Sequence, residues 1–351
     1  MIDESSYASD VADELSLTQS AYAEDVTGEV DLTSAAYAED VATAINEGGG
    51  DDDYTLRVLQ YNIGHFNMGY ASASSTLISS DKSDGYPSSL DRNYAIQLQR
   101  WTDRISGVNA DLICMPEWST YFGYNNGTRV TTANTGIFNG YQLSVGKSVV
   151  SGWWINTFAS RYAISNAQDI DLGSTTRNVA YVRVGTITLG GKTVKIAVTH
   201  INWNHPLGAT SDPSYSANAQ ASYDSRQIEI ANLVDLFKNE PYLILCGDFN
   251  TEGPVYGPNV SYYPPARDYE AGLDELQPFI DAGFTLANSN ANPLLTCIAT
   301  GSRPDLPARP QYPYCYLDNI ITRGFTMSNV MVIDDGTITD HCGVVADLTM
   351  I

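Results

Sequence analysis

The chain has few cysteines, few positive charges and no long apolar run, and each shortage excludes something. Its five cysteines, Cys114, Cys246, Cys297, Cys315 and Cys342, form no CxxC pair, which argues against a thiolate zinc site. Cys114 and Cys246 fall in apolar runs and read as buried thiols, whereas Cys297 and Cys315 lie in loop-like stretches and are candidates to pair. No stretch of eighteen apolar residues exists, so no transmembrane helix is expected. The N-terminus MIDESSYASD lacks the basic and apolar regions of a secretory signal. Only 18 Lys and Arg face 41 Asp and Glu, for a formal charge of -23, so the basic footprint of a tight, nonspecific duplex binder is missing. A metal ion and a local basic groove can offset such a deficit, so a nuclease is not excluded.

The deficit is uneven. Residues 1–53 hold nine Asp and six Glu and no Lys or Arg. A period of fifteen runs through the same stretch: Tyr7, Tyr22 and Tyr37; Val11, Val26 and Val41; Leu15, Val30 and Ile45. A fixed period points to a repeated unit that buries an apolar stripe against a neighbour, whether helical or as a short β-type shaft. A plain solvated acidic tail is the alternative. The expected organisation is a repeat tail or stalk over 1–47, a GGGDDD linker over 48–53, and a catalytic domain over 54–351. Such a tail is expected to self-associate or bind another protein. Acidic repeats ahead of a globular domain resemble those of stalk-bearing virion or surface-displayed proteins.

Beyond Tyr54 the hydrophobic content, 43% over the whole chain, suits a packed core. Strands are expected at 56–63, 110–118, 157–165, 178–189, 192–203, 241–250, 316–322 and 343–351, with a Gly190-Gly191 hairpin turn. Helices are expected at 94–108, 225–239 and 274–282. Many strands are sequence neighbours, which favours an α+β arrangement of two mainly antiparallel, packed sheets with helices outside.

Polar residues gather where the apolar strands stop. YNI ends on Asn62, ICMPE on Glu117 and AVTH on His200; LCGDFN carries Asp248 and Asn250, YLDN carries Asp318, and TDH carries Asp340 and His341. Strand ends on one sheet edge can converge on one pocket. Carboxylate and amide oxygens suit a hard divalent cation, and with two histidines they can activate water, neutralise charge and protonate a leaving oxygen. Taken singly, each residue is more simply a cap or turn residue. Their joint order is the signal.

That order (YNI, E, SRY, TH, GDFN, LDNI, DH) resembles the endonuclease/exonuclease/phosphatase superfamily, the DNase I-like fold, over roughly residues 56–351. The resemblance implies a four-layer αββα sandwich and an Mg²⁺- or Mn²⁺-dependent phosphoester hydrolase. It implies Asn62, Glu117 and Asp340 as metal residues, and Asp248, helped by Asn250, as the group that activates water. It implies His341, polarised by Asp318, and His200 as the groups at the scissile phosphate. Arg161 of SRY and Arg177 are candidate phosphate contacts, because a guanidinium fork matches phosphate oxygens. Pro116, Gly64 and Asn319 depart from residues common in the family and blur the subfamily. The expected substrate is a nucleic-acid phosphodiester. The alternatives are a smaller phosphoester or lipid headgroup, and a non-catalytic virion or surface module that keeps the fold.

Overall fold

The computed structural model describes residues 54–67, 94–125, 128–149, 154–173, 180–201, 214–251, 272–294, 296, 316–333 and 341–351. The expected repeat tail and linker, Arg177, Asp340, Cys297 and Cys315 lie outside these residues.

Two six-stranded sheets form the centre of the molecule. The strands of the first are β1 (Thr55–Gln60), β2 (Leu112–Trp118), β5 (Gln142–Val145), β6 (Ile155–Ser160), β13 (Phe325–Ile333) and β14 (Gly343–Met350), in the order β13-β14-β1-β2-β6-β5. Those of the second are β7 (Ser165–Asp171), β8 (Tyr181–Leu189), β9 (Lys192–His200), β10 (Leu243–Asp248), β11 (Thr285–Leu286) and β12 (Asp318–Arg323), in the order β11-β12-β10-β9-β8-β7. Strands β3 (Tyr121–Asn125) and β4 (Thr128–Thr131) make a separate hairpin. Both large sheets are mixed. Each has one parallel pair, β1 with β2 and β9 with β10, and antiparallel pairs elsewhere.

The layers follow from period-two burial. Leu56 and Val58 of β1, Leu112 and Cys114 of β2, Val194, Ile196 and Val198 of β9, and Ile244 and Cys246 of β10 share one apolar cluster between the sheets. Their neighbours Leu59, Ile113 and Met115 point outward to a second cluster, which helix α1 (Tyr94–Val108) covers with Trp101 and Ile105. Ala197, Leu243 and Leu245 point to a third, covered by Ile230, Leu233 and Phe237 of α2 (Ser214–Phe237) and Phe279 of α3 (Gln277–Asp281). Helix, sheet, sheet and helix therefore stack around three apolar layers. No described helix is long and apolar enough to cross a membrane.

Several local readings change, and the helix expected at 225–239 spans Ser214–Phe237. The segment 157–165 is not one strand. It breaks at Arg161, and β6 and β7 on either side belong to different sheets. The expected helix at 274–282 is a 3-10 turn over Gly272–Leu276 followed by the short α3. Strand β13 is an additional edge strand beside β14, with a register shift between Ser328 and Met331. The Gly190-Gly191 turn is present, with φ of 55° and 71°, the left-handed pair that a two-residue hairpin requires.

Candidate active site

The two parallel pairs aim their C-terminal ends at the same place. On β1, the inter-sheet parity that buries Leu56 and Val58 continues through Gln60 to Asn62, both fully buried. On β9 the same parity runs from Val194 to His200, and on β10 from Ile244 to Asp248 and Asn250. Asp248 lies opposite His200 on one side and Asp318 of β12 on the other. Gly247 permits this approach, because a Cβ there would stand 2.4 Å from the Thr199 carbonyl oxygen. The glycine of GDFN is thus a steric requirement of the β9–β10 pairing.

Glu117 arrives differently. Simple alternation after Leu112 and Cys114 would place Pro116, not Glu117, on the inter-sheet face. A register shift between Met115 and Trp118 inserts an extra residue, and Glu117 takes the left-handed conformation with φ 54°. A bulge re-aims a side chain in this way, and non-glycine backbone strain of this kind costs about 1–3 kcal/mol. Asn250 is similarly left-handed, with φ 46°.

The side chains then meet. Asn62 Nδ2 lies 2.9 Å from Asp248 Oδ2, 3.2 Å from Glu117 Oε1 and 3.3 Å from His341 Nε2. Its Oδ1 accepts the Gly64 N–H at 3.1 Å. In this orientation Asn62 acts as a donor hub that fixes two carboxylates. His200 Nε2 stands 3.5 Å from Asp248 Oδ2 and 3.8 Å from Glu117 Oε1. His341 Nδ1 is 2.7 Å from Asp318 Oδ2, and its Nε2 is 3.6 Å from Asp248 Oδ2. With a carboxylate oxygen at 2.7 Å, Nδ1 is the nitrogen placed to carry the imidazole proton, and Nε2 faces the Asn62 amide. Asn250 does not reach into the cluster with its amide, which donates to the Ile201 carbonyl at 2.8 Å; its backbone N–H donates to Asp248 Oδ1 at 2.9 Å.

Burial drives the electrostatics. Asp248 is pushed up to about 6, chiefly because it is withdrawn from water; His200 and His341 pull it down and Asp318 pushes it up further. Glu117 and His200 are the open side, with side chains 18% and 20% exposed against 2% for Asp248. Two groups of donor atoms, each within 4.8 Å, share Asp248: Glu117, His200 and Asp248, and Asp248, Asp318 and His341. Carboxylate oxygens with imidazole nitrogen at the partly open end form a donor set that fits a divalent cation such as Mg²⁺ or Mn²⁺.

Arg161 is not brought to this cluster. Its N–H bonds the Asp111 carbonyl, at the start of β2, six residues from Glu117. At about 3.3 Å per residue that is about 20 Å away. Its guanidinium lies 5.3 Å from the Tyr141 ring, 3.8 Å from Asp111 Oδ1, and bonds Asn109. The guanidinium thus has partners at the opposite sheet edge, and the SRY segment marks the crossing between sheets.

Three residues join the site unannounced by any motif. Gln60 donates to Asp318 Oδ1 at 2.9 Å. Thr296 Oγ1 accepts the Asp318 N–H at 2.9 Å, and its carbonyl accepts the N–H of Cys342, next to His341. Asn288 Nδ2 donates to the Asp318 carbonyl at 3.2 Å. Gln60 was within reach of strand parity, two positions before Asn62. Thr296 and Asn288 carried no sequence signal, because only the tertiary fold brings them to Asp318.

No family model matches the chain, and none of the curated proteins does. Solved structures do. An endonuclease/exonuclease/phosphatase from Bacteroides vulgatus matches with TM-score 0.55 at 13% identity, covering 85% of this chain and 100% of that one. This chain has the endonuclease/exonuclease/phosphatase fold. A second protein so described, from Beutenbergia cavernae, matches with TM-score 0.52 at 14% identity over 84% of this chain and 72% of its own. TDP2 from D. rerio, complexed with a single strand DNA product, matches with TM-score 0.51 at 13% identity over 84% and 99%. At such identities the likeness lies in the backbone path, so what the site does must be argued from its own side chains.

Proposed function

We propose that the protein is a divalent-metal-dependent hydrolase that cleaves a nucleic-acid phosphodiester. One observation carries this: a single buried carboxylate, Asp248, shared by an open Glu117–His200 group and a closed Asp318–His341 group. Glu117, with Asp340 completing the set and Asn62 beside it, would hold Mg²⁺ or Mn²⁺, whose positive charge would offset the negative charge on the phosphate oxygens. Asp248 takes the proton of the attacking water as the water oxygen bonds phosphorus. The bond from phosphorus to the leaving oxygen breaks, and that oxygen takes its proton from His200. His341, held through Nδ1 by Asp318, would face the phosphate with Nε2, which must carry a proton there to stabilise the building charge. Asn62 and Asn250 keep Asp248 in place through their 2.9 Å hydrogen bonds. Arg177 remains the proposed guanidinium contact to the phosphate. The D. rerio protein held with a single strand DNA product is a precedent for nucleic acid on this fold.

A smaller phosphoester, such as a lipid headgroup, is the second reading. It is favoured by the -23 charge and by the absence of Lys and Arg from the seven described site residues. Residues 1–53 are proposed to attach or oligomerise the catalytic unit without taking part in catalysis. The purified chain should be assayed on plasmid, single-stranded DNA, RNA, bis-p-nitrophenyl phosphate and sphingomyelin, with Mg²⁺ or Mn²⁺ and with excess EDTA. Metal-dependent cleavage of a polynucleotide supports the first reading. Cleavage of sphingomyelin alone supports the second, and undiminished turnover in EDTA overturns the metal mechanism.

A further inference from the structure

We infer that Gln60 is a positioning residue that sets the orientation of the Asp318 carboxylate and, through it, the tautomer of His341. Gln60 is completely buried at the end of β1, in the last position of its regular ladder with β14 and β2. Its Nε2 donates to Asp318 Oδ1 at 2.9 Å, while the other oxygen of that carboxylate meets His341 Nδ1 at 2.7 Å. Asp318 is itself fully buried. The Gln60 amide has only one workable orientation, since flipping it would set Oε1 against the anionic Asp318 Oδ1. In the observed orientation Oε1 makes no hydrogen bond with a described residue, although it is buried. The amide nitrogen and the His341 imidazole thus hold the two oxygens of the Asp318 carboxylate from opposite sides. Asp318 so fixed keeps the imidazole proton on Nδ1 and leaves Nε2 facing Asn62 and Asp248, at 3.3 Å and 3.6 Å.

The catalytic part of this inference rests on the proposed hydrolase function, so its test has an arm that does not. The full chain holds four histidines, which allows each imidazole to be assigned by substitution. With ¹⁵N-labelled histidine in metal-free protein, His341 should be the Nδ1–H tautomer in the wild type and a mixture in Gln60→Met and in Gln60→Leu. Neither side chain can donate to Asp318, so one variant's failure to fold leaves the other to decide. In the activity arm, Gln60→Met should lower kcat about 10–100-fold, the usual range for residues that orient a site from behind, with KM within about threefold. In an Asp318→Asn background the same substitution should change kcat less than about twofold. An unchanged His341 tautomer in the folded variants overturns the inference, as does a loss that persists undiminished in the Asp318→Asn background. If the protein hydrolyses no phosphoester, the proposed function fails and the tautomer measurement alone decides the role of Gln60.

Discussion

Replacing Asp248 with Asn should stabilise the metal-free protein while abolishing turnover. In the folded state the carboxyl is raised from 3.8 to about 6, with burial the main cause. A raised folded value means that the native state favours the protonated acid. The stability this confers is fully present below about pH 3.8 and is lost as pH rises through about 6. The shift of about two units corresponds to about 3 kcal/mol lost by pH 8, and about 1 kcal/mol lost already at pH 4.5. Asn carries no charge and escapes this loss. It keeps an oxygen for the Asn250 N–H at 2.9 Å but sets an NH₂ against Asn62 Nδ2, now 2.9 Å from Oδ2. One forfeited hydrogen bond costs about 1 kcal/mol. The net expectation is near equality at pH 4.5 and about 2 kcal/mol in favour of the variant at pH 8. For a folded unit of this size that is a rise in Tm of about 3 °C. Thermal melts in EDTA at the two pH values measure it, and the same preparations assayed with Mg²⁺ should show kcat down by about 10²–10⁴-fold. A variant whose Tm difference from the wild type is the same at both pH values would falsify the claim that burial of this charge strains the fold.

Other perturbations separate the remaining parts. Glu117→Ala should eliminate metal-supported turnover, and Glu117→Gly should do the same yet melt higher than Glu117→Ala, because glycine relieves about 1–2 kcal/mol of the left-handed cost at φ 54°; equal Tm values would refute that. Arg161→Ala should leave kcat/KM within about twofold, since its partners lie at the far sheet edge; a large loss on any substrate would restore it to phosphate binding. Glu275→Ala should cost about 3–5 kcal/mol in urea unfolding, because it strips Arg226 of a buried two-point ion pair at 3.0 Å and 3.2 Å. Deleting residues 1–53 should leave kcat/KM for a small diester unchanged, and a drop in activity would show that the acidic segment contributes to the site.

The site was legible in sequence wherever a polar residue continued an apolar strand in register. Asn62, His200 and Asp248 extend the inter-sheet parity of their own strands. Glu117 was found by its motif, but alternation alone would have pointed it away. The bulge that corrects it depends on pairing with β6, which no local window contains. Arg161 shows the reverse failure. SRY reads as strand interior, yet the chain there turns from one sheet to the other and anchors its guanidinium on Asn109 and Asp111. Strand β13 escaped because edge strands have one exposed side and need no clean alternation; its burial is mostly partial or absent.

The geometry also explains why the cluster is small and closed on one side. A parallel pair delivers two C-terminal ends to one sheet edge, and two facing sheets with one such pair each deliver four. The apolar filling between the sheets stops at Val58 and Val198, and the next residues of the same parity are Gln60 and His200. Rigid strand ends hold their polar groups more tightly than loops would. The cost is sensitivity to register: slipping β10 by one residue would turn Asp248 to the helix side and bring Gly247 or Phe249 inward. Phe249 instead packs with Phe279 in the outer layer, ring centroids 6.0 Å apart, and so opposes that slip. The aromatic residue after Asp248 thus has a mechanical role, since burying it in the layer under α2 and α3 forces Asp248 onto the face where the four strand ends converge.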